Sequence, residues 1–415
     1  MRSSPAWVRA GVAIVAVALA AALVASATAG RFPLWLRSPG GSPDAASRPA
    51  AAATGTPTPR APATPRPASP SPKPLDPALS PQQMAGQRVI YSYGGLTPPA
   101  SLLRLIRRGD VGGVIFFSQN VSSNAQIAGV IAELDRANAS PTNPVREPLL
   151  LMTDQEGGMV RRLPGPPLLS EFQIGASADP ATAAATAGRS GGSYLRGLGL
   201  NVNLAPVLDV YRQPGDFDDQ FQRSYNMDPA VVSEAGANFI TAQQADGVAA
   251  TAKHFPGLGA AATQQDTDNE PVTLNVPLST LRNVDELPYA AAIRAGVKLV
   301  MVSWAVYPAL DPTRPAGLSP TIVNGELRQR LGFKGVTITD ALEAGALRSY
   351  GSFQNRGLLA AEAGMDLILC SEQNPGEGEQ AAAGLQSGYS NGQLPRAAFI
   401  AALDRVLALR ASLAG

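Results

Sequence analysis

The chain has 415 residues, 45% of them hydrophobic, with 33 Lys and Arg set against 32 Asp and Glu. Balanced charge argues against nucleic acid or another polyanion as the main partner, and the apolar fraction suffices for a sizeable core. One histidine, His254, and one cysteine leave no Cys/His cluster for zinc, and no metal or organic cofactor is implied.

Arg2 and Arg9 precede an uncharged Ala/Val/Leu-rich stretch from Ala10 to Gly30. At about 20 residues it is long enough to span a bilayer, while Ala27-Thr28-Ala29 has the small-x-small form of a signal-peptidase site. Both readings of residues 1–30 export the rest of the chain, and the length of the stretch favours a retained membrane anchor. No cysteine comes after it at the cleavage position, which excludes a lipoprotein. Residues 31–79 are dominated by Pro, Ala, Thr and Ser and bury too little to offset their ordering entropy, so they read as a disordered, semi-stiff linker. A single extracytoplasmic domain is expected over 80–415.

Within that domain short apolar runs alternate with Ala-rich stretches of helical spacing. The strand candidates are "QRVIYSYG" (87–94), "VGGVIFFS" (111–118), "PLLLMTDQ" (148–155) and "LNVNLAPVLDV" (200–210). After them come "GVAATAKHF" (247–255), "KLVMVSW" (298–304), "GVTITDAL" (335–342) and "MDLILCS" (365–371). The last holds Cys370, which reads as a small buried hydrophobe. Stretches such as "NAQIAGVIAELDRANA" and "SEAGANFITAQQADG" predict helices between strands. Continuous apolar strands alternating with helices imply a parallel sheet covered by helices. Eight such units imply a (β/α)8 TIM-type barrel; a doubly wound sheet is the alternative, but no Gly-rich phosphate loop opens a helix.

Asp154, Asp209, Lys253, His254 and Asp340 all stand at C-terminal ends of strand candidates. In a barrel those ends converge on the face where active sites are built. A single Asp there would be read as a helix cap; five polar residues, with an adjacent Lys-His, are read as a site.

These residues sit in motifs, "GGVIFF", "TDQEGGMVRRL", "NLAPVLDV", "RSYNMDP", "AKHFPGLG", "VYPALDP", "GLSP" and "LGFKGVTITDALEAGA", spread over 80–410. Their order and separation resemble glycoside hydrolase family 3, specifically its single-barrel β-N-acetylhexosaminidases that act on peptidoglycan fragments. The resemblance implies a retaining mechanism with Asp340 of "TITDAL" as nucleophile. Capping the following "ALEAGALRS" as a helix is the alternative role for Asp340. It further implies that Asp154, Arg162, Arg223, Lys253, His254 and Met301 bind substrate, that Asp209 orients Lys253 or Arg223, and that Tyr225 or Trp304 stacks on sugar.

The pattern departs from the family in the loop after "KHFPG". The family carries "HG…D-S-H" there, with an Asp-held His as acid/base; this chain has Leu258 for the first His and Asp266-Thr267-Asp268 for "DSH". Trp304 replaces a further histidine, and Met159 an arginine. The acid/base is therefore expected to be Asp268, or Asp266, or another carboxylate among Glu156, Asp216, Asp218, Asp219 and Glu270. Otherwise the protein is weak or inactive and only binds glycan. The Gly/Ala-rich stretch 257–269 suits a mobile lid.

The expected function is an exported, monomeric glycosidase that removes β-linked N-acetylhexosamine, N-acetylglucosamine first, from cell-wall or related glycans. A membrane-tethered glycan-binding protein is the alternative from another class. Another exo-β-glycosidase such as a β-glucosidase is the third; those commonly carry a second domain that supplies the acid/base, for which few residues remain after the eighth strand candidate.

Overall fold

A computed structural model describes residues 79–414. The apolar stretch at 10–30, and the linker apart from its last residue, lie outside them. No helix among the described residues is long and apolar enough to cross a membrane.

All eight strand candidates contribute a strand. They are β1 (Val89–Tyr91), β2 (Gly113–Phe116), β3 (Leu150–Thr153), β4 (Val202–Asn203), β5 (Ala249–Phe255), β6 (Leu299–Val302), β7 (Val336–Ala341) and β8 (Leu367–Leu369). They pair in parallel in chain order and close, β8 against β1, into the barrel expected from periodicity. The fourth candidate shrinks most, from 11 residues to two. Pro206 brings no N–H to the ladder, and the chain rejoins it only as a bridge between Val207 and Lys253.

Side chains alternate across each strand, so parity decides what faces inward. Ile90, Ile115, Leu150, Met152, Val202, Ala249, Leu299, Met301, Val336, Ile338, Leu367 and Leu369 form one buried cluster inside the barrel. Their neighbours one step along the same strands, such as Val89, Val114 and Val300, pack outward under the helices. The helix Asn124–Asn138 shows how: Ser123 caps it, and Ile127, Val130, Ile131 and Leu134 recur at helical spacing on its buried face. The helices Pro180–Leu198 and Pro229–Ala245 approach closely at Gly188, where a Cβ would meet the Phe239 carbonyl oxygen at 2.4 Å.

The N-terminal mouth of the barrel is sealed by the last helix, Arg396–Ser412. Its Val406 and Leu409, with Leu413 just beyond, join the interior cluster. Buried Arg410 donates to the carbonyls of Glu147 and Pro148, both at 2.7 Å, just ahead of β3. On the same floor Arg88 donates to the carbonyls of Met365 and Asp366 and lies 4.5 Å from the Phe399 ring centroid. This end is closed by packing, which leaves the opposite mouth open.

Candidate active site

Parity sets the site. Lys253 follows Ala249 and Thr251 on the inward side of β5, Asp340 follows Val336 and Ile338 on β7, and Met301 follows Leu299 on β6. Lys253 and Asp340 stand one step beyond the apolar layer, where the barrel opens. There a cavity of about 540 Å³ is lined by all nine sequence-predicted residues: Asp340, Asp268 and Asp266, with Asp154, Arg162, Arg223, Lys253, His254 and Met301. Met301 and Leu369 form part of its apolar floor.

One wall is an ion network. Just beyond β3, Asp154 leads into a hairpin, Gln155–Gly157 against Val160–Arg161. Lys253, 2% exposed, places Nζ 2.9 Å from Asp154 Oδ1 and 2.7 Å from Glu156 Oε1. Arg223 grips Glu156 with two bonds of 2.9 Å and reaches Asp218 at 3.1 Å through its third nitrogen. Arg162 stands farther off, 3.6 Å from Asp154, with its guanidinium 5.9 Å from the Phe117 ring centroid. Burial alone would raise the Glu156 carboxyl, but Arg223 and Lys253 outweigh it and hold the group well below the usual carboxylate range. Asp154 is likewise held low: burial opposes this, and Lys253 and Arg162 prevail. Burial pulls Lys253 down, but Asp154 and Glu156 overcome it and keep the ammonium charged. Glu156 is thus the hub of the network, locked in ion pairs and unsuited to proton transfer. Its position two residues after Asp154, on the hairpin strand, was the signal the sequence offered.

Asp209 does not orient Lys253 or Arg223. Its carboxylate accepts the backbone N–H groups of His254 at 3.2 Å and Leu258 at 2.6 Å, and lies 2.7 Å from His254 Nδ1. The reason is local: the pairing of β5 with β6 shifts register between Ala252 and Phe255, which leaves the His254 amide to the Asp209 carboxylate, and the Leu258 amide just beyond the strand joins it. Burial and the neighbouring Arg223 charge push His254 down to about 4, so the imidazole is neutral. Nδ1–H then donates to Asp209, and Nε2, with no protein partner among the described residues, is left as an acceptor on a cavity-lining residue. Asp209, Asp218 and His254 bring potential ligand atoms within 4.8 Å of one another. A divalent ion among them would sit beside the Arg223 guanidinium, and two of the three groups already serve each other. The set works as a hydrogen-bond network.

The opposite wall carries carboxylates with no ion-pair partner among the described residues. Asp340, half-buried, has no ion-pair partner among the described residues; Oδ1 accepts the N–H of Ala341 at 2.8 Å. It does not cap a helix: "ALEAGALRS" forms a turn and a short 3-10 segment, and the α-helix begins only at Phe353 with Ser352 as its cap. Across from it the stretch 257–269 carries Asp266 and Asp268. Asp266 is occupied in shaping the loop, accepting the N–H of Asp268 at 2.9 Å and the side-chain amide of Asn269. The Asp268 carboxyl accepts no bond from the described residues. It reaches solvent at the cavity mouth, yet the surrounding protein and the charges of Asp340, Asp266 and Glu343 raise it to about 7. Of the other carboxylates, Asp216 and Asp219 accept backbone amides within their own loop, Asp218 is buried on Arg223, and Glu270 does not line the cavity.

The loop is tied down on both sides. Gly345 N–H donates to the Asp268 carbonyl at 2.7 Å and Ala346 N–H to that of Thr267 at 3.0 Å. On the far side Phe217 N–H donates to the Ala261 carbonyl at 3.0 Å and the Gln220 amide to Thr263 at 2.8 Å.

The aromatic candidates are displaced. Trp304 is wholly buried and donates Nε1–H to the Ala341 carbonyl at 2.8 Å, bracing β7 behind Asp340; Tyr225 is 1% exposed. Neither lines the cavity. The rings that do are Phe117, Phe217 and Phe221, of which Phe221 is 39% exposed. Sequence reasoning also missed Glu343, three residues after Asp340. It lines the cavity and accepts a bond from Ser371 Oγ at 2.6 Å, a partner that the pairing of β7 with β8 brings near.

The family model described as the glycosyl hydrolase family 3 N terminal domain matches residues 87–409. An uncharacterized secreted glycosyl hydrolase of Arthroderma benhamiae is 46% identical over 330 residues, 79% of this chain and 93% of that protein. A family 3 β-N-acetylglucosaminidase structure from Paenibacillus superposes with a TM-score of 0.76 at 35% identity, over 81% of this chain and 64% of its own. A β-N-acetylhexosaminidase structure from Beutenbergia cavernae gives 0.72 at 33%, over 80% and 99%.

Proposed function

The chain belongs to glycosyl hydrolase family 3 and is an O-glycosyl hydrolase, and from that premise we propose that it is an exported, retaining enzyme releasing β-linked N-acetylhexosamine, N-acetylglucosamine first, from cell-wall or related glycans. The observation that carries this reading is the pair Asp340 and Asp268 on one cavity. One carboxyl has no ion-pair partner among the described residues and accepts a single backbone amide; the other, raised to about 7 by burial and the neighbouring carboxylates, lines the same cavity.

The chemistry rests on those states. Asp340 attacks the anomeric carbon, and its ester bond forms as the bond to the glycosidic oxygen breaks. Asp268 gives its proton to that oxygen, so the leaving group departs as a neutral alcohol. Asp268, now a carboxylate, takes a proton from water as the water oxygen attacks the same carbon; the ester to Asp340 breaks, and both groups return to their starting states. Lys253, Asp154 and His254 Nε2 hold the sugar hydroxyls through charge-assisted and neutral hydrogen bonds, with Arg223 and Arg162 completing the polar wall. Asp268 thus does the work of the family's missing histidine. Asp266 shapes its loop.

Relatives described as β-N-acetylglucosaminidase and β-N-acetylhexosaminidase support the sugar, and the relative described as secreted supports export. Residues 10–30 as anchor or signal, and 31–79 as tether, complete the proposal. The test is hydrolysis of 4-nitrophenyl N-acetyl-β-D-glucosaminide: wild type releases nitrophenol and Asp340→Ala loses it by at least about 10³-fold. Equal rates for the two would refute the nucleophile. Glycan binding without turnover in wild type would favour the binding-protein alternative instead.

A further inference from the structure

The two loops that carry the reacting carboxyls are joined at one glycine. Asp340 stands at the end of β7, and five residues later Gly345 meets the end of the Asp268 loop. Its N–H donates to the Asp268 carbonyl at 2.7 Å, and Ala346 N–H adds a second bond to Thr267 at 3.0 Å. The approach leaves no room for a side chain. A Cβ on Gly345 would stand 2.1 Å from the Asn269 carbonyl oxygen, 2.3 Å from its carbon and 2.9 Å from the Asp268 carbonyl oxygen. All three atoms are backbone, so no side-chain rotation could relieve the clash; the peptide that carries Asp268 would have to move.

We propose that Gly345 is a positioning residue: by its lack of a side chain and its bond to Asp268 it fixes the gap between the proton donor and the nucleophile. This rests on the roles proposed above for Asp268 and Asp340. The gap matters because direct attack by one carboxylate requires the pair to stand about 5–5.5 Å apart, whereas wider pairs admit a water between them. The same bonds explain how a loop rich in Gly and Ala holds a carboxyl in place without a side-chain partner for that carboxyl. Its backbone is gripped from the nucleophile's own loop, and the acid side chain is left free to move its proton.

The test compares wild type, Asp268→Asn, Gly345→Ala and Ala346→Pro. Ala346→Pro removes the second N–H and sets its ring against the Thr267 carbonyl, so it loosens the loop at a different point while leaving the Gly345–Asn269 approach unchanged. Each is assayed for kcat/KM on N-acetyl-β-glucosaminides with a good leaving group (2,4-dinitrophenol) and a poor one (4-methoxyphenol), with thermal unfolding followed by circular dichroism. Misplacement by an ångström costs on the order of 10²-fold when proton transfer is needed. Gly345→Ala is therefore expected to lose about 10²-fold on the poor leaving group and less than about threefold on the good one, with Ala346→Pro intermediate and Asp268→Asn steepest. A general loss of structure would lower both substrates alike. If Asp268→Asn shows the split and both loop variants, folded, do not, the positioning role is overturned and the acid assignment stands. If Asp268→Asn loses equally on both substrates, the two readings fall together. If Gly345→Ala fails to fold, Ala346→Pro decides, and failure of both to fold makes the contact structural and overturns the proposal.

Discussion

Replacing Glu156 with Gln isolates the charge of the network's hub at nearly constant shape. In the native protein the Glu156 carboxylate takes two bonds from Arg223 at 2.9 Å and lies 2.7 Å from Lys253 Nζ, and it is 1% exposed. Bonds to charged groups contribute about 1.5–3 kcal/mol each, and Gln keeps one acceptor oxygen for the cations. Lys253 retains Asp154 and Arg223 retains Asp218. The expected loss is therefore about 3–5 kcal/mol, as for other buried pairs robbed of one partner. The assay is guanidinium unfolding of both proteins between pH 8 and pH 3. Burial works against the charged form of Glu156, and Arg223 and Lys253 more than compensate, so its folded-state pKa lies below the unfolded value. Stability from such a group is complete above the unfolded pKa of about 4.3 and fades as pH falls towards the folded one. The gap between wild type and variant should be constant from pH 8 to about 5 and narrow below that. A gap under about 1 kcal/mol at pH 7, or one that widens in acid, would refute the hub. Lys253→Met in the same background should cost less than it does alone, because the two residues share one interaction.

Three further outcomes are expected. In wild type kcat/KM should fall as pH rises through about 7, because Asp268 must be protonated to act as acid, and that alkaline limb should vanish in Asp268→Asn. Asp209→Asn, which cannot satisfy two amides and the imidazole N–H together, should cost about 1–3 kcal/mol by calorimetry and raise KM through a turned His254; an unchanged KM would dissociate His254 from substrate. Arg410→Ala, on the closed end of the barrel, should lower stability by about 2–4 kcal/mol in chemical unfolding while leaving kcat within about twofold, since that face carries packing and not chemistry.

The fold was legible because apolar runs of the right length recur eight times, and parity then carried Lys253, Met301 and Asp340 into the cavity without further information. What escaped depends on pairs far apart in sequence. The Asp209 carboxylate serves His254 because the pairing of β5 shifts register between Ala252 and Phe255. Tyr225 and Trp304 are aromatic and near the motifs, yet local sequence cannot say which side of a strand-end loop a ring takes; both turn into the core, while Phe217 and Phe221, on a loop between two motifs, reach the cavity. Glu343 joins the wall because Ser371, from just beyond β8, offers it a hydroxyl. The tie between Gly345 and Asp268 has no signature at all in a single chain, since a small residue in a loop reads as flexibility until its neighbour is known.

The closure of β8 on β1 has a consequence in time. Val89 pairs with Ile368, and the helix that seals the floor is made after both. Contacts across nearly the whole domain must wait until its last segment exists, so the first seven strands cannot complete a ring as they emerge. Until then the edges of β1 and β7 stay unpaired and the interior stays wet. Closure of the ring, and with it the sealing of the floor, is thereby deferred to the last segments of the domain.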